Sequence, residues 1–192
     1  NCLKGKLIVS CQALPHEPLH SDYIMGRMAA AAKEGGASGI RAQSVSQINE
    51  IMKTVDLPVI GIIKRDYEDS DIYITPTRKE IEELLTTPCQ IIALDATDRK
   101  RPNDEKCEDL VKMIHEGGRL AMADCSTYEE CVAAQDMGFD IVSTTLCGYT
   151  PYSKNPILFG TVPSPDPDYE IIEELRKAGI ERVIAEGRIN DG

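Results

Sequence analysis

Short apolar, β-rich runs alternate along this chain with amphipathic stretches whose apolar positions recur at helical spacing. The apolar runs cover 7–12, 39–43, 58–64, 91–96, 120–124, 139–146 and 182–188. The helical stretches cover 22–34, 44–55, 77–86, 104–117, 126–137 and 168–178. Short apolar runs bounded by turn signals read as buried strands, and the longer periodic stretches as helices. Ser126 precedes TYEECVAAQ with Glu129 three residues on, the pattern of a capping box. Gly117 and Gly179 follow helical runs, where a C-terminal glycine belongs. This alternation predicts βα units and a parallel sheet.

Seven strands are counted, where a closed (β/α)8 barrel needs eight and typically about 250 residues. The chain opens on Asn1 and ends at Gly192, just after the seventh strand. The expected fold is α/β, a single (β/α)8 TIM-barrel domain over residues 1–192, C-terminally incomplete and lacking the eighth strand and helix in this chain. The competing fold, an open doubly wound sheet, lacks the GxGxxG that a dinucleotide-binding version places after its first strand. Two connections are long: 65–76, and the proline-rich 147–167. On the C-terminal face of a barrel such loops bind ligand or act as lids; otherwise they are variable surface.

Four of the apolar runs deliver a polar group at their C-terminal end: Gln12, Lys64, Asp124 and Glu186, on strands one, three, five and seven. Active sites of parallel α/β folds are built there, and inward side chains of a barrel layer come from alternate strands. Lys64, after VIGII, is expected to lose solvation, which lowers its pKa and leaves a neutral amine able to act as a base or form a Schiff base. The structural alternative pairs it with Asp124 or Glu186. Glu186 would stand opposite Lys64, so a small substrate could sit between amine and carboxylate; alternatively it holds Arg188. Arg41 and Arg188 suit an anionic group, or are internal salt-bridge partners. Asp95 can bind sugar hydroxyls or nearby arginines, and the sixth strand ends in Thr144 and Thr145. The run 98–102 (DRKRP) reads as a solvated loop rather than a nucleic-acid patch.

The 192 residues include 32 acidic and 21 basic side chains, a net charge of −11. Such a balance argues against nucleic acid or anionic lipid as partners. No apolar run approaches the ~20 residues of a membrane span. Seven cysteines, odd in number and without CxxC spacing, read as reduced, inert thiols of a cytoplasmic protein. The histidines His16, His20 and His115 form no metal-ligand cluster. Open sheet edges would be covered in a homo-oligomer.

The segments SCQA (10–13), PLHS with IMGRMAAAA (18–32), IRAQ (40–43), PVIGIIKRDY (58–67), IYITPT (72–77), IALDAT with RKRP (92–102), MADCST (122–127), VSTTLCGYTPYS (142–153) and EGRIN (186–190) occur in order across nearly the whole chain. Together they resemble the N-acetylmannosamine-6-phosphate 2-epimerases of bacterial sialic acid catabolism. The resemblance implies an isomerase on a (β/α)8 barrel that interconverts N-acetylmannosamine 6-phosphate and N-acetylglucosamine 6-phosphate, a small sugar phosphate, with no cofactor and no metal. It implies Lys64 and Glu186 as catalytic residues, and Gln12, Arg41, Asp124 and Arg188 as substrate contacts. It also implies a further helix and a strand with a glycine-rich, phosphate-binding turn after EGRIN. The other readings are a Schiff-base aldolase or lyase using Lys64, and a sugar-phosphate-binding barrel without turnover.

Overall fold

The computed structural model describes residues 3–154, 156 and 167–189. Its strands are β1 (Ile8–Cys11), β2 (Gly39–Gln43), β3 (Val59–Ile62), β4 (Ile91–Asp95), β5 (Leu120–Asp124), β6 (Ile141–Ser143) and β7 (Val183–Ile184). The helices are α1 (Asp22–Glu34), α2 (Val45–Thr54), α3 (Arg78–Leu85), α4 (Cys107–Glu116), α5 (Tyr128–Asp136) and α6 (Tyr169–Lys177). The strands form one parallel sheet in the order β1-β2-β3-β4-β5-β6-β7. Strictly sequential order is the winding of a barrel; a doubly wound sheet reverses direction at a switch point. β1 and β7 are not hydrogen-bonded to each other.

Alternation along each strand divides the apolar residues between two cores. Ile60, Ile62, Ile91, Ala93 and Met122 pack together on the concave side. Val59, Ile92, Leu94, Ala121 and Ala123 pack outward against Ile48, Ile51, Leu84, Leu110 and Ile114 of the helices. Gly61 lies on that outer side of β3. A Cβ there would stand 3.0 Å from the Cys89 Sγ and Ile48 Cδ1 and 3.2 Å from Leu84 Cδ2. All three neighbours are fully buried, so none has room to retreat. Gly61→Ala is expected to destabilise the fold by about 1–3 kcal/mol through overpacking, read as a lower urea midpoint at unchanged slope.

The hydrogen-bonded strands are shorter than the apolar runs. β6 stops at Ser143 and β7 at Ile184, before the residues that form the site. The capping box of α5 stands one residue later than its sequence signature, on Thr127 and Glu130 rather than Ser126 and Glu129. Glu130 wins because it is buried and also accepts from the Ser126 amide and hydroxyl, both at 2.7 Å. The fourth helix begins at Cys107, not 104, because Asn103 and Asp104 adopt left-handed backbone (φ 57° and 54°) and end a separate 3-10 turn. The basic run after β4 is not simply solvated. Arg101 is 6% exposed and donates to the Pro76 and Asp95 carbonyls, and Arg99 pairs with the Asp95 carboxylate. Lys100 alone of the three points outward. Most of the 147–167 loop lies outside the described residues. Its first part is fixed by Tyr152, whose hydroxyl donates to Glu130 at 2.7 Å.

Candidate active site

The C-terminal ends of the strands open onto a cavity of about 350 Å³. Ile62, Ile74 and Leu146 of the concave core floor it, and Gln12, Arg41, Lys64 and Glu186 reach its wall. A second cavity of about 290 Å³ lies at the opposite ends of β6 and β7, among Asp140, Ile141 and Arg182. None of the candidate catalytic or substrate-binding residues lines that one, and barrels place their chemistry at the other face.

Arg41 and Asp124 are locked together. The guanidinium donates through Nη1 and Nη2 to Oδ1 and Oδ2 at 3.0 and 2.6 Å, a bidentate fork with both side chains almost wholly buried. Burial opposes the Arg41 charge, yet Asp124 and then Glu186 raise its pKa above the ordinary value, so it stays a cation. The second contact, Nη1 to Glu186 Oε2, is 3.4 Å. Asp124 does not line the cavity; it stands behind Arg41 and aims it. Gln12, Lys64, Asp124 and Glu186 are therefore not one layer. Asp124 is level with Ser143 and Ile184 in the sheet register, and Glu186 is two residues further along its strand.

Lys64 follows β3 by two residues and is held by a short hairpin. It bridges antiparallel to Ile74, and the Arg65 amide donates to the Tyr73 carbonyl at 2.9 Å. The return passes through Thr75, a fully buried β-branched residue in left-handed backbone (φ 46°). The Thr75 amide donates to the Ile63 carbonyl, and the Ile63 amide to Thr75 Oγ1, which keeps the turn in place. Among the described residues the Lys64 ammonium has no hydrogen-bond or ion-pair partner. Burial, then the Arg41 charge, push its pKa below the ordinary lysine value, against Glu17, Glu186 and Asp124.

Glu186 is fixed by its own backbone. Its amide donates to Thr144 Oγ1 at 3.0 Å, and Thr144 Oγ1 donates to its carbonyl at 2.8 Å. The side chain is 28% exposed. Burial raises its pKa; Arg41 opposes this and Asp124 adds to it. Thr145 Oγ1 lies between the two carboxylates, 2.8 Å from Asp124 Oδ1 and 3.1 Å from Glu186 Oε2.

The remaining predicted residues divide. Gln12 lines the cavity and donates to Ser10 Oγ at 2.9 Å, while its buried Oε1 has no partner. Arg188 follows Gly187 in left-handed backbone (φ 59°) and is not among the residues lining the cavity. Asp95 serves Thr97 and Arg99 rather than the cavity. Sequence reasoning passed over Tyr73, Tyr149 and Glu17, which also line the cavity. The alternation in IYIT was the available signal for Tyr73; Tyr149 carried none. Six cysteines are free among the described residues, and burial raises several thiols, Cys147 to about 12, which leaves them unreactive.

The model of the family described as "Putative N-acetylmannosamine-6-phosphate epimerase" matches residues 25–192. A curated relative of that description from Clostridium perfringens is 63% identical over 188 residues, covering 98% of this chain and 81% of its own. One from Clostridioides difficile is 62% identical with the same coverage. The solved N-acetylmannosamine-6-phosphate 2-epimerase of C. perfringens superposes with a TM-score of 0.92 at 61% identity, over 99% of this chain and 80% of that one. A thiamine phosphate pyrophosphorylase from Pyrococcus furiosus, at 15% identity and TM-score 0.54, shares the fold alone.

Proposed function

The chain belongs to the N-acetylmannosamine-6-phosphate epimerase family, and from that membership we propose that it interconverts N-acetylmannosamine 6-phosphate and N-acetylglucosamine 6-phosphate. The observation that supports this best is the half-buried Lys64 amine, without a hydrogen-bond or ion-pair partner among the described residues, facing the same cavity as Glu186. With the sugar ring open, C1 is an aldehyde and the C2 proton is acidic. Lys64, as the neutral amine, takes that proton; the electron pair moves into the C1–C2 bond and the charge onto the C1 oxygen. Arg41, held cationic by Asp124, stabilises the developing enolate. Glu186 supplies a proton to the other face of C2, which inverts the centre. Gln12 orients the sugar, and Arg188, four residues beyond β7, answers the phosphate. We further place the reaction in cytoplasmic sialic acid catabolism, on a single barrel domain.

The test is conversion of N-acetylmannosamine 6-phosphate, with unphosphorylated N-acetylmannosamine as control. The proposal expects turnover of the phosphate ester and loss of kcat/KM without it; no turnover of either by folded protein overturns it. Borohydride added with substrate should leave Lys64 unmodified, because a base forms no imine; a trapped adduct would mark Schiff-base chemistry. Activity should follow a bell in pH, because the active state needs Lys64 without its proton and Glu186 with its own, and the limb that reports Lys64 should lie below the ordinary lysine value, given the direction in which burial moves it. A pH–rate profile checks this.

A further inference from the structure

The hydroxyl of Thr145 is surrounded by three oxygens and has one proton to give. Ser143 Oγ lies 2.7 Å away, Asp124 Oδ1 2.8 Å and Glu186 Oε2 3.1 Å. A hydroxyl donates once and accepts up to twice. Ser143 is fully buried, and Thr145 is the partner of its hydroxyl among the described residues. If Thr145 gave its proton to Ser143, the Ser143 proton would be stranded in the core. Ser143 therefore donates to Thr145, and the Thr145 proton goes to one of the two carboxylates.

Asp124 is the closer, and it must be ionised. Both its oxygens already accept from the Arg41 fork, and it is 0% exposed. Glu186 touches Arg41 at 3.4 Å only. An ionised Glu186 would then turn a charged oxygen toward a Thr145 lone pair, beside a second buried carboxylate. A neutral Glu186 donates to that lone pair, and every contact around Thr145 is satisfied. We infer that Thr145, presented by Ser143, is a positioning residue that keeps a proton on Glu186 before substrate arrives.

The inference deepens the epimerase reading, since it rests on Glu186 being the proton donor. The charged groups facing Glu186 are Arg41 from β2, Lys64 after β3 and Asp124 from β5. Burial moves the Glu186 pKa upward, against the pull of Arg41. Two arrangements predict opposite signs. If Thr145 accepts from Glu186, its removal destabilises the neutral acid and lowers the Glu186 pKa. If Thr145 donates to Glu186, its removal raises that pKa.

The experiment is infrared titration of the substrate-free protein, taking the carboxyl band lost in Glu186→Gln as the Glu186 signal. The protonated band is expected in the wild type at neutral pH, to persist in Thr145→Ser, and to shift to lower pH in Thr145→Val. An ionised Glu186 in the wild type, an unchanged midpoint in Thr145→Val, or an upward shift overturns the inference. Should Thr145→Val fail to fold, Thr145→Ala gives the same sign test, and the wild-type band alone can overturn the claim. The readout needs no turnover, so an inactive protein with a protonated Glu186 refutes the epimerase reading and leaves the Thr145 assignment standing. In active protein, Thr145→Val should lower kcat more than it changes KM, with Thr145→Ser restoring most of the loss.

Discussion

Replacing Lys64 by methionine is expected to lower kcat by about two to four orders of magnitude, the span a positioned acid–base group contributes. KM should change far less, because Arg41, Gln12 and the cavity floor remain. The same substitution should stabilise the protein at neutral pH. Lys64 is half-buried, has no hydrogen-bond or ion-pair partner among the described residues, and its pKa is lowered in the fold. The sign follows from linkage. Between the lowered folded pKa and the ordinary value the unfolded chain binds more protons, so stability rises with pH across that window. Below it the fold carries the full cost of a charged, desolvated amine, which methionine removes. A variant that is both inactive and harder to unfold in urea would mark Lys64 as kept for chemistry. A variant that is inactive and less stable would contradict this, since Lys64 would then be holding the fold together.

The second large effect belongs to Asp124. Asp124→Ala leaves the Arg41 guanidinium buried without its bidentate partner, and breaking such a pair costs about 3–5 kcal/mol. Urea unfolding should show that loss, and turnover should fall with it because Arg41 is no longer aimed into the cavity. Asp124→Asn keeps the shape and one acceptor, so it should recover part of the stability and much less of the activity. If Asp124→Ala lost activity at unchanged stability, Asp124 would be a substrate contact and not the support behind Arg41.

Much of this was legible in the sequence, for reasons that can be named. The strand–helix alternation is a consequence of burying one face of each element, and it placed the seven strands and six α-helices among the described residues to within a few residues. Lys64 and Glu186 were readable because a polar group at the end of an apolar run sits where a barrel opens. Their environment was not readable. That Asp124 lies behind Arg41 depends on register across three sheet neighbours, which no local pattern encodes. Arg99 and Arg101 look like a solvated run because charge is visible in sequence and the buried carbonyls that receive it are not. Glu130 displaced Glu129 from the α5 cap through contacts with Ser126 and Tyr152, tertiary partners of a local motif. Thr145 offered only its position at a strand end; its meaning comes from the Ser143 hydroxyl two residues before it and from two carboxylates brought to it by other segments.

The most direct measurement is proton NMR of N-acetylmannosamine 6-phosphate incubated with the protein in heavy water. Proton removal and return at C2 predicts N-acetylglucosamine 6-phosphate carrying deuterium at C2, with exchange abolished by Lys64→Met. Product that retains protium at C2, or no product from folded protein, would contradict it.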